Sequence, residues 1–149
     1  MFRNVRWYRF EGTWPGSESD LSAALETAAF IHCGPMTERS NGWESILPDT
    51  SDTLARRVNG VDLLRLRSQS RILPAAAINE ELEARIEAYQ ERTKEQPSTR
   101  EKRRLKAEAR DELMPKAMLK SDRIWGYVDP KDQVIAIDSA QEANAERFL

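Results

Sequence analysis

The sequence predicts an α+β fold: a small antiparallel sheet with packed helices and a projecting antiparallel helical hairpin. Three observations lead there. Stretches with a two-residue alternation of apolar and polar side chains lie toward both ends of the 149-residue chain, a length that supports one domain with its own core. Between them, Pro74 to Ala117 reads as two helices joined at Pro97. Charge is also segregated: residues 92 to 120 hold ten Lys/Arg against five Asp/Glu, a local +5 in a chain of net charge −2, so the remainder carries −7.

The elements follow in order. Phe2 to Phe10 alternates, with Val5 and Trp7 on one side and Tyr8 and Phe10 on the other, the pattern of a central strand buried on both faces. Trp14-Pro15-Gly16 breaks the chain, and Ser17, Ser19 and Asp20 offer caps for a helix with Leu21, Ala24, Leu25 and Ala28 on one stripe, ended by Gly34-Pro35. Polar and turn residues dominate from Met36 to Asn59, which reads as loop or short edge strands around Trp43, Ile46 and Leu47. Val61 to Arg67 is a strand in which Leu64 and Leu66 alternate with Arg65 and Arg67.

Pro74 suits the start of a helix, and Ile78, Leu82, Ile86 and Tyr89 then form a stripe opposite Glu80, Glu83 and Glu87. Ser98 and Glu101 match a capping box, opening a second helix with Leu105, Ala109 and Leu113 as its apolar stripe, ended by Pro115. At about 1.5 Å per residue each helix is on the order of 25 to 30 Å long, more than a small sheet covers. The expected organisation is therefore a single domain, 1–149, with a sheet-containing body from 1–73 and 118–149 and a projecting hairpin from 74–117. Ile124 to Val128 and Val134 to Ile137 pair across Asp129-Pro130-Lys131-Asp132, and Ser139 with Glu142 caps a last helix. Trp125 and Tyr127 are assigned to core packing in preference to a stacking platform for bases.

Several function classes find no support. A lone cysteine, Cys33, excludes an intramolecular disulfide, and with a single histidine, His32, no Cys/His zinc site forms within one subunit. The His32-Cys33 pair lacks a second histidine to act as base. Phosphate-binding, dinucleotide, zincin and nucleophile-elbow motifs are missing. Asp49, Asp52, Asp62, Asp129, Asp132 and Asp138 show no spacing that marks a metal pair. No catalytic residue, metal or cofactor is assigned. No apolar run approaches the roughly 20 residues of a membrane span, and Met1 to Arg6 is not followed by the apolar stretch of a signal peptide, so a cytoplasmic location is expected.

The positive signal is the second hairpin helix. Arg100, Arg103, Arg104 and Arg110 face away from its apolar stripe, Lys102 and Lys106 border that stripe, and Lys116 and Lys120 extend the cationic surface. Its acids, Glu101, Glu108 and Glu112, share one flank, so the main neutralising i,i+4 pair is Arg104 with Glu108. Such a surface binds phosphates without reading base sequence; the alternative is a solvated helix face. Met114 and Met118, close to the end of this helix, are candidates for self-association or for packing onto the sheet.

Taken in order, the motifs resemble the N-terminal half of the RdgC family of recombination-associated DNA-binding proteins. The residues are Phe30-Ile31-His32-Cys33-Gly34, Gly42-Trp43, Asn59-Gly60, Ile72-Leu73-Pro74 with Ile78 and Leu82-Glu83, Leu113-Met114-Pro115-Lys116-Ala117-Met118, Trp125-Gly126-Tyr127-Val128-Asp129 and Ile137-Asp138. The resemblance implies a non-enzymatic, cytoplasmic, nucleoid-associated protein that binds double-stranded DNA with little sequence preference, restrains recombinase filaments and works as a two-fold ring. It implies Lys102, Arg103, Arg104, Lys106 and Lys116 as DNA-facing residues and Met118 near a homodimer contact. Family proteins continue for about as long again, so this chain reads either as a naturally short form or as an excised half, with a dimer or open clamp as the alternatives to the family's closed ring. The competing expectation is a short interaction protein, of a kind a phage or mobile element carries, that inhibits a host recombinase or defence protein through an acidic surface including Glu80, Glu81, Glu83 and Glu87.

Overall fold

The computed structural model describes residues 2–149. Along the chain run β1 (Val5–Arg9), α1 (Glu18–Leu25) continued by a 3-10 turn (Glu26–Ala28), β2 (Arg39–Trp43), β3 (Ala55–Val58) and β4 (Val61–Ile72). Then come α2 (Ala75–Thr93), α3 (Thr99–Leu113) with a 3-10 turn (Met114–Lys116), β5 (Met118–Asp129), β6 (Val134–Asp138) and α4 (Glu142–Phe148). The strands form one six-stranded sheet in the order β1-β6-β5-β4-β2, with β3 also on β4. The pairs β1–β6, β5–β6 and β3–β4 are antiparallel. The fold is α+β, as the alternating and helical stretches predict. No helix among the described residues is long and apolar enough to cross a membrane.

The chain forms two compact units, one combining the chain up to Ile31 with Ser40–Ser68 and Ser121–Leu149, the other His32–Arg39 and Gln69–Lys120. In the first, Leu21, Ala55, Leu64, Leu66, Ile124, Val128, Ile137, Ala145 and Phe148 make the core, with Tyr8, Phe10, Trp14 and Trp43 packed against it. Strand alternation decides which side chains enter it. In β4 Asp62, Leu64 and Leu66 are buried while Leu63, Arg65 and Arg67 lie on the other face, and in β5 Ile124, Gly126 and Val128 are buried while Trp125 and Tyr127 are not. Asn59 and Gly60 join β3 to β4 with φ of 53° and 84°, the two positive values a type I′ hairpin turn requires.

Among the described residues Asp62 is the one charged residue that is fully buried, with 0 % exposure. It accepts from Arg57 Nε at 2.7 Å and Nη2 at 2.6 Å and from Trp14 Nε1 at 2.8 Å. The Arg57 guanidinium is in turn held to the carbonyls of Pro15 and Gly16. Hydrogen bonding to Asp62 raises the Arg57 pKa, against an opposing desolvation effect. A bidentate pair with a third donor on the same carboxylate is the form in which a buried charge is tolerated.

Four readings of the sequence are corrected. β1 is an outermost strand, not a central one, with Trp7 61 % exposed; its aromatics mark an open sheet face instead of a second core. The first helix ends at Ala28, well before Gly34-Pro35, because Ala29 makes a parallel bridge to Trp43 and Phe30 N donates to the Trp43 carbonyl at 2.8 Å. Sheet pairing there overrides the helical stripe. Ser139 does not cap α4: its hydroxyl donates to the Gln141 carbonyl and accepts from the Gln141 N–H, a local turn, and Gln141 is the cap. Trp125 and Tyr127 lie on the face opposite the core.

In the second unit α2 and α3 pack against each other, joined through Lys94 in the left-handed conformation (φ 60°) and buried Pro97. Leu105 and Ala109 are the buried residues of α3, and Ile78, Leu82, Ile86 and Tyr89 are half-buried. Ser98 Oγ accepts from Glu101 N at 3.2 Å, the expected cap. The Glu101 carboxylate serves Tyr89 instead, and that hydrogen bond is the largest cause of a raised Tyr89 pKa. Arg85 of α2 clamps α3, pairing with Glu81 at 3.0 Å, Glu108 at 3.5 Å and Glu112.

Candidate nucleic-acid interface

The amphipathic pattern of α3 fixes which cations reach solvent. Leu105 and Ala109 turn inward, so Arg100, Lys102, Arg103 and Lys106 are all exposed, and among the described residues none of these four makes an ion pair with a carboxylate. The other cations of the surface are engaged. Arg104 Nε lies 3.5 Å from Glu108, Arg110 Nη2 lies 2.5 Å from Glu38, and Lys116 Nζ lies 3.4 Å from Glu112. Lys120 is exposed on β5. The Arg85 clamp draws Glu108 and Glu112 toward α2, which leaves the opposite arc of α3 to cations. Surface pairs such as Arg104–Glu108 are worth about 0–1 kcal/mol, little enough for a phosphate to displace.

The two methionines separate. Met114 is buried, at 5 % exposure. Met118 is 74 % exposed, and Leu119 beside it is also open to solvent.

A second cationic surface lies on the open face of the sheet in the first unit. Arg65 and Arg67 of β4 and Arg123 of β5 converge on Glu44, at 3.1, 3.3 and 2.5 Å. Three guanidinium groups on one carboxylate leave this cluster with a net +2. Aromatic rings interleave with it: Arg67 sits 4.4 Å from the Phe30 ring centroid and Arg65 5.0 Å from that of Trp125. Tyr127 meets Phe2 and Trp7 edge-on at 5.7 and 5.8 Å. Burial raises the Tyr127 pKa, with a further push from Asp129. The sequence does carry the signal for this surface, as Arg65 and Arg67 alternating with Leu64 and Leu66, but dispersed cations do not stand out in a charge run.

Cys33 is buried, its N–H donating to Gln69 Oε1 at 2.9 Å and its thiol to the Gln69 carbonyl at 3.5 Å. Among the described residues no group of three or more His, Cys, Asp or Glu converges on a metal position.

Comparison with known proteins agrees with the order of motifs. The family model described as "Putative exonuclease, RdgC" matches residues 1–149. Similar curated relatives, each named "Recombination-associated protein RdgC", come from Cupriavidus pinatubonensis (31% identical over 147 residues, 97% of this chain and 48% of the relative) and Edwardsiella ictaluri (30% over 148 residues, 99% and 49%). A third, from Bordetella pertussis, is 29% identical over 150 residues, again 99% and 49%. The chain thus spans about half the length of the curated relatives it matches. A family match from first residue to last, with relatives aligned over nearly the whole chain, shows that this protein belongs to the RdgC family.

Proposed function

We propose that this chain binds double-stranded DNA without sequence preference, through α3, and by occupying duplex modulates recombination without catalytic turnover. One observation carries the reading: Arg100, Lys102, Arg103 and Lys106 stand exposed on one helix with no acidic partner among the described residues, in a chain that is acidic as a whole. Cations so placed neutralise phosphates and release condensed counterions, a sequence-independent source of affinity. Arg104, Arg110 and Lys116 add contacts as their exposed ion pairs exchange for phosphate oxygens, and exposed Lys120 extends the surface. Exposed Met118 joins two copies into a dimer or open clamp that holds DNA from two sides. The names of the relatives support a role in recombination, and nucleoid association and a cytoplasmic location follow from it.

The test is duplex binding across a salt series. Four phosphate contacts per copy give a slope of log affinity against log salt of about −3.6, a fall on the order of 100-fold between 50 and 200 mM salt. Changing Arg103 and Arg104 to Glu should weaken binding at low salt and flatten that slope, and unchanged affinity would refute the assignment. Solution mass with and without duplex reads the assembly. Magnesium-dependent loss of a labelled duplex would move the protein to the exonuclease reading that the family description carries. Capture of one protein after nuclease treatment, without DNA affinity, would favour the inhibitor.

A further inference from the structure

The open face of the sheet holds a cavity of about 360 Å³ lined by Phe2, Arg3, Trp125 and Asp138, within the range of about 300–1,000 Å³ typical of small-ligand sites. We infer that this cavity receives an unpaired nucleobase of single-stranded DNA, stacked on Trp125 and read by the Asp138 carboxylate, with Arg3 on the adjoining phosphate.

Three of the four lining residues are braced. The Arg65 guanidinium lies 5.0 Å from the Trp125 ring centroid, and the edge-to-face contact with Tyr127 at 5.7 Å holds Phe2. Asp138 Oδ1 accepts from the backbone N–H of both Arg3 and Asn4, at 2.9 Å each. Those bonds fill the two lone pairs of Oδ1 and fix the carboxylate, leaving Oδ2 as the acceptor for a ligand. A carboxylate acceptor selects a base edge rich in donors: guanine offers adjacent ring N–H and amino groups, adenine and cytosine an amino group, and thymine a single N–H between two carbonyls that the carboxylate repels. Of the guanidinium groups on Glu44, Arg123 is 42% exposed while Arg65 and Arg67 are only 12% and 17% exposed, so Arg123, with Arg3 at the cavity, presents the charge that draws the strand to this face. Aromatic rings set among cations are the usual platform for single strands.

This site is independent of α3, so it is tested in the full chain carrying Lys102, Arg103 and Lys106 changed to Glu. Anisotropy of labelled octamers should show a strand with one central guanine binding about fivefold or more tighter than an all-thymine strand, the discrimination of roughly 1 kcal/mol or more expected of a base-edge contact. Trp125→Ala should weaken the guanine strand by about five- to a hundredfold, the range for loss of one stacked base, with its denaturant midpoint measured alongside. Asp138→Asn keeps the Oδ1 acceptor and replaces Oδ2 with a donor, so it should abolish the guanine preference and favour thymine. Deoxyguanosine monophosphate as competitor separates a nucleotide site from a strand site: weak competition supports a strand. Equal affinity for the two octamers, an unchanged preference in Asp138→Asn, or a competitor that binds as tightly as the octamer would overturn the inference.

Discussion

The ring of Phe148 fills the space that any side chain at position 126 would need: a Cβ built on Gly126 would lie 2.3 Å from Phe148 Cζ. The ring cannot easily yield, because it also meets Trp43 edge-on at 5.0 Å and is buried. Gly126→Ala should therefore cost about 1–3 kcal/mol, the range for overpacking a tight core. Denaturant unfolding reads it as a lower midpoint at unchanged slope, and a midpoint equal to the parent's would show that α4 shifts freely.

The Arg57–Asp62 pair makes a harsher prediction. Truncating Asp62 to Ala leaves the Arg57 guanidinium and the Trp14 indole N–H without their acceptor, at a cost of about 3–5 kcal/mol. Replacing Arg57 with Met together with Asp62 with Leu should recover much of that loss, since two apolar groups strand no charge. A double variant no more stable than Asp62→Ala alone would show that the pair specifies the fold instead of merely filling it.

Arg85 holds α3 by two carboxylates, Glu108 and Glu112, while Glu81 of its own helix steadies the guanidinium. Arg85→Ala should loosen the α2–α3 packing, seen as faster hydrogen exchange along α3, and release Glu108 and Glu112 to the cationic arc. Duplex affinity should fall severalfold although Arg85 itself need touch no DNA. Retained affinity with faster exchange would separate the two effects.

Burial raises the Tyr127 pKa above its ordinary 10.0. The folded state then holds the phenolic proton more tightly than the unfolded chain does. The resulting stability is present in full below the unfolded pKa and drains away as pH rises from there through the folded value. Ultraviolet titration should show two tyrosines ionising later than free tyrosine, Tyr127 held by burial and Tyr89 by Glu101. Tyr127→Phe should remove one of the two late ionisations, and two late ionisations remaining in that variant would overturn the assignment to Tyr127.

What the sequence made legible follows from how local each signal is. Leu64 and Leu66 against Arg65 and Arg67 and the Ser98 cap depend on neighbours a few residues away, and both stand in the structure. The position of β1 does not: whether Trp7 and Tyr8 face a core on both sides depends on the strand order, which the pattern of one strand does not encode. The stop of α1 at Ala28 is set by a bridge from Ala29 to Trp43, fourteen residues on. For the candidate surface, the run of cations in α3 was plain, while the convergence of Arg65, Arg67 and Arg123 on Glu44 needs three strands or loops brought together. Met114 illustrates the same limit, since a methionine at a helix end reads alike whether it turns in or out.

β1 lies at the end of the strand order, paired with β6 alone, and a strand so placed invites a stranger's backbone to dock and polymerise. Arg6 and Arg9, with Arg3 just before them, line that margin with like charge, so two copies meeting there repel. Serine at positions 3 and 9 should turn a clear solution hazy as salt rises, by light scattering; Arg6 is kept, because its Nη2 donates to the Ala140 carbonyl at 3.1 Å and its loss would remove an internal contact. The arginines would then serve as the protein's own guard against fibres.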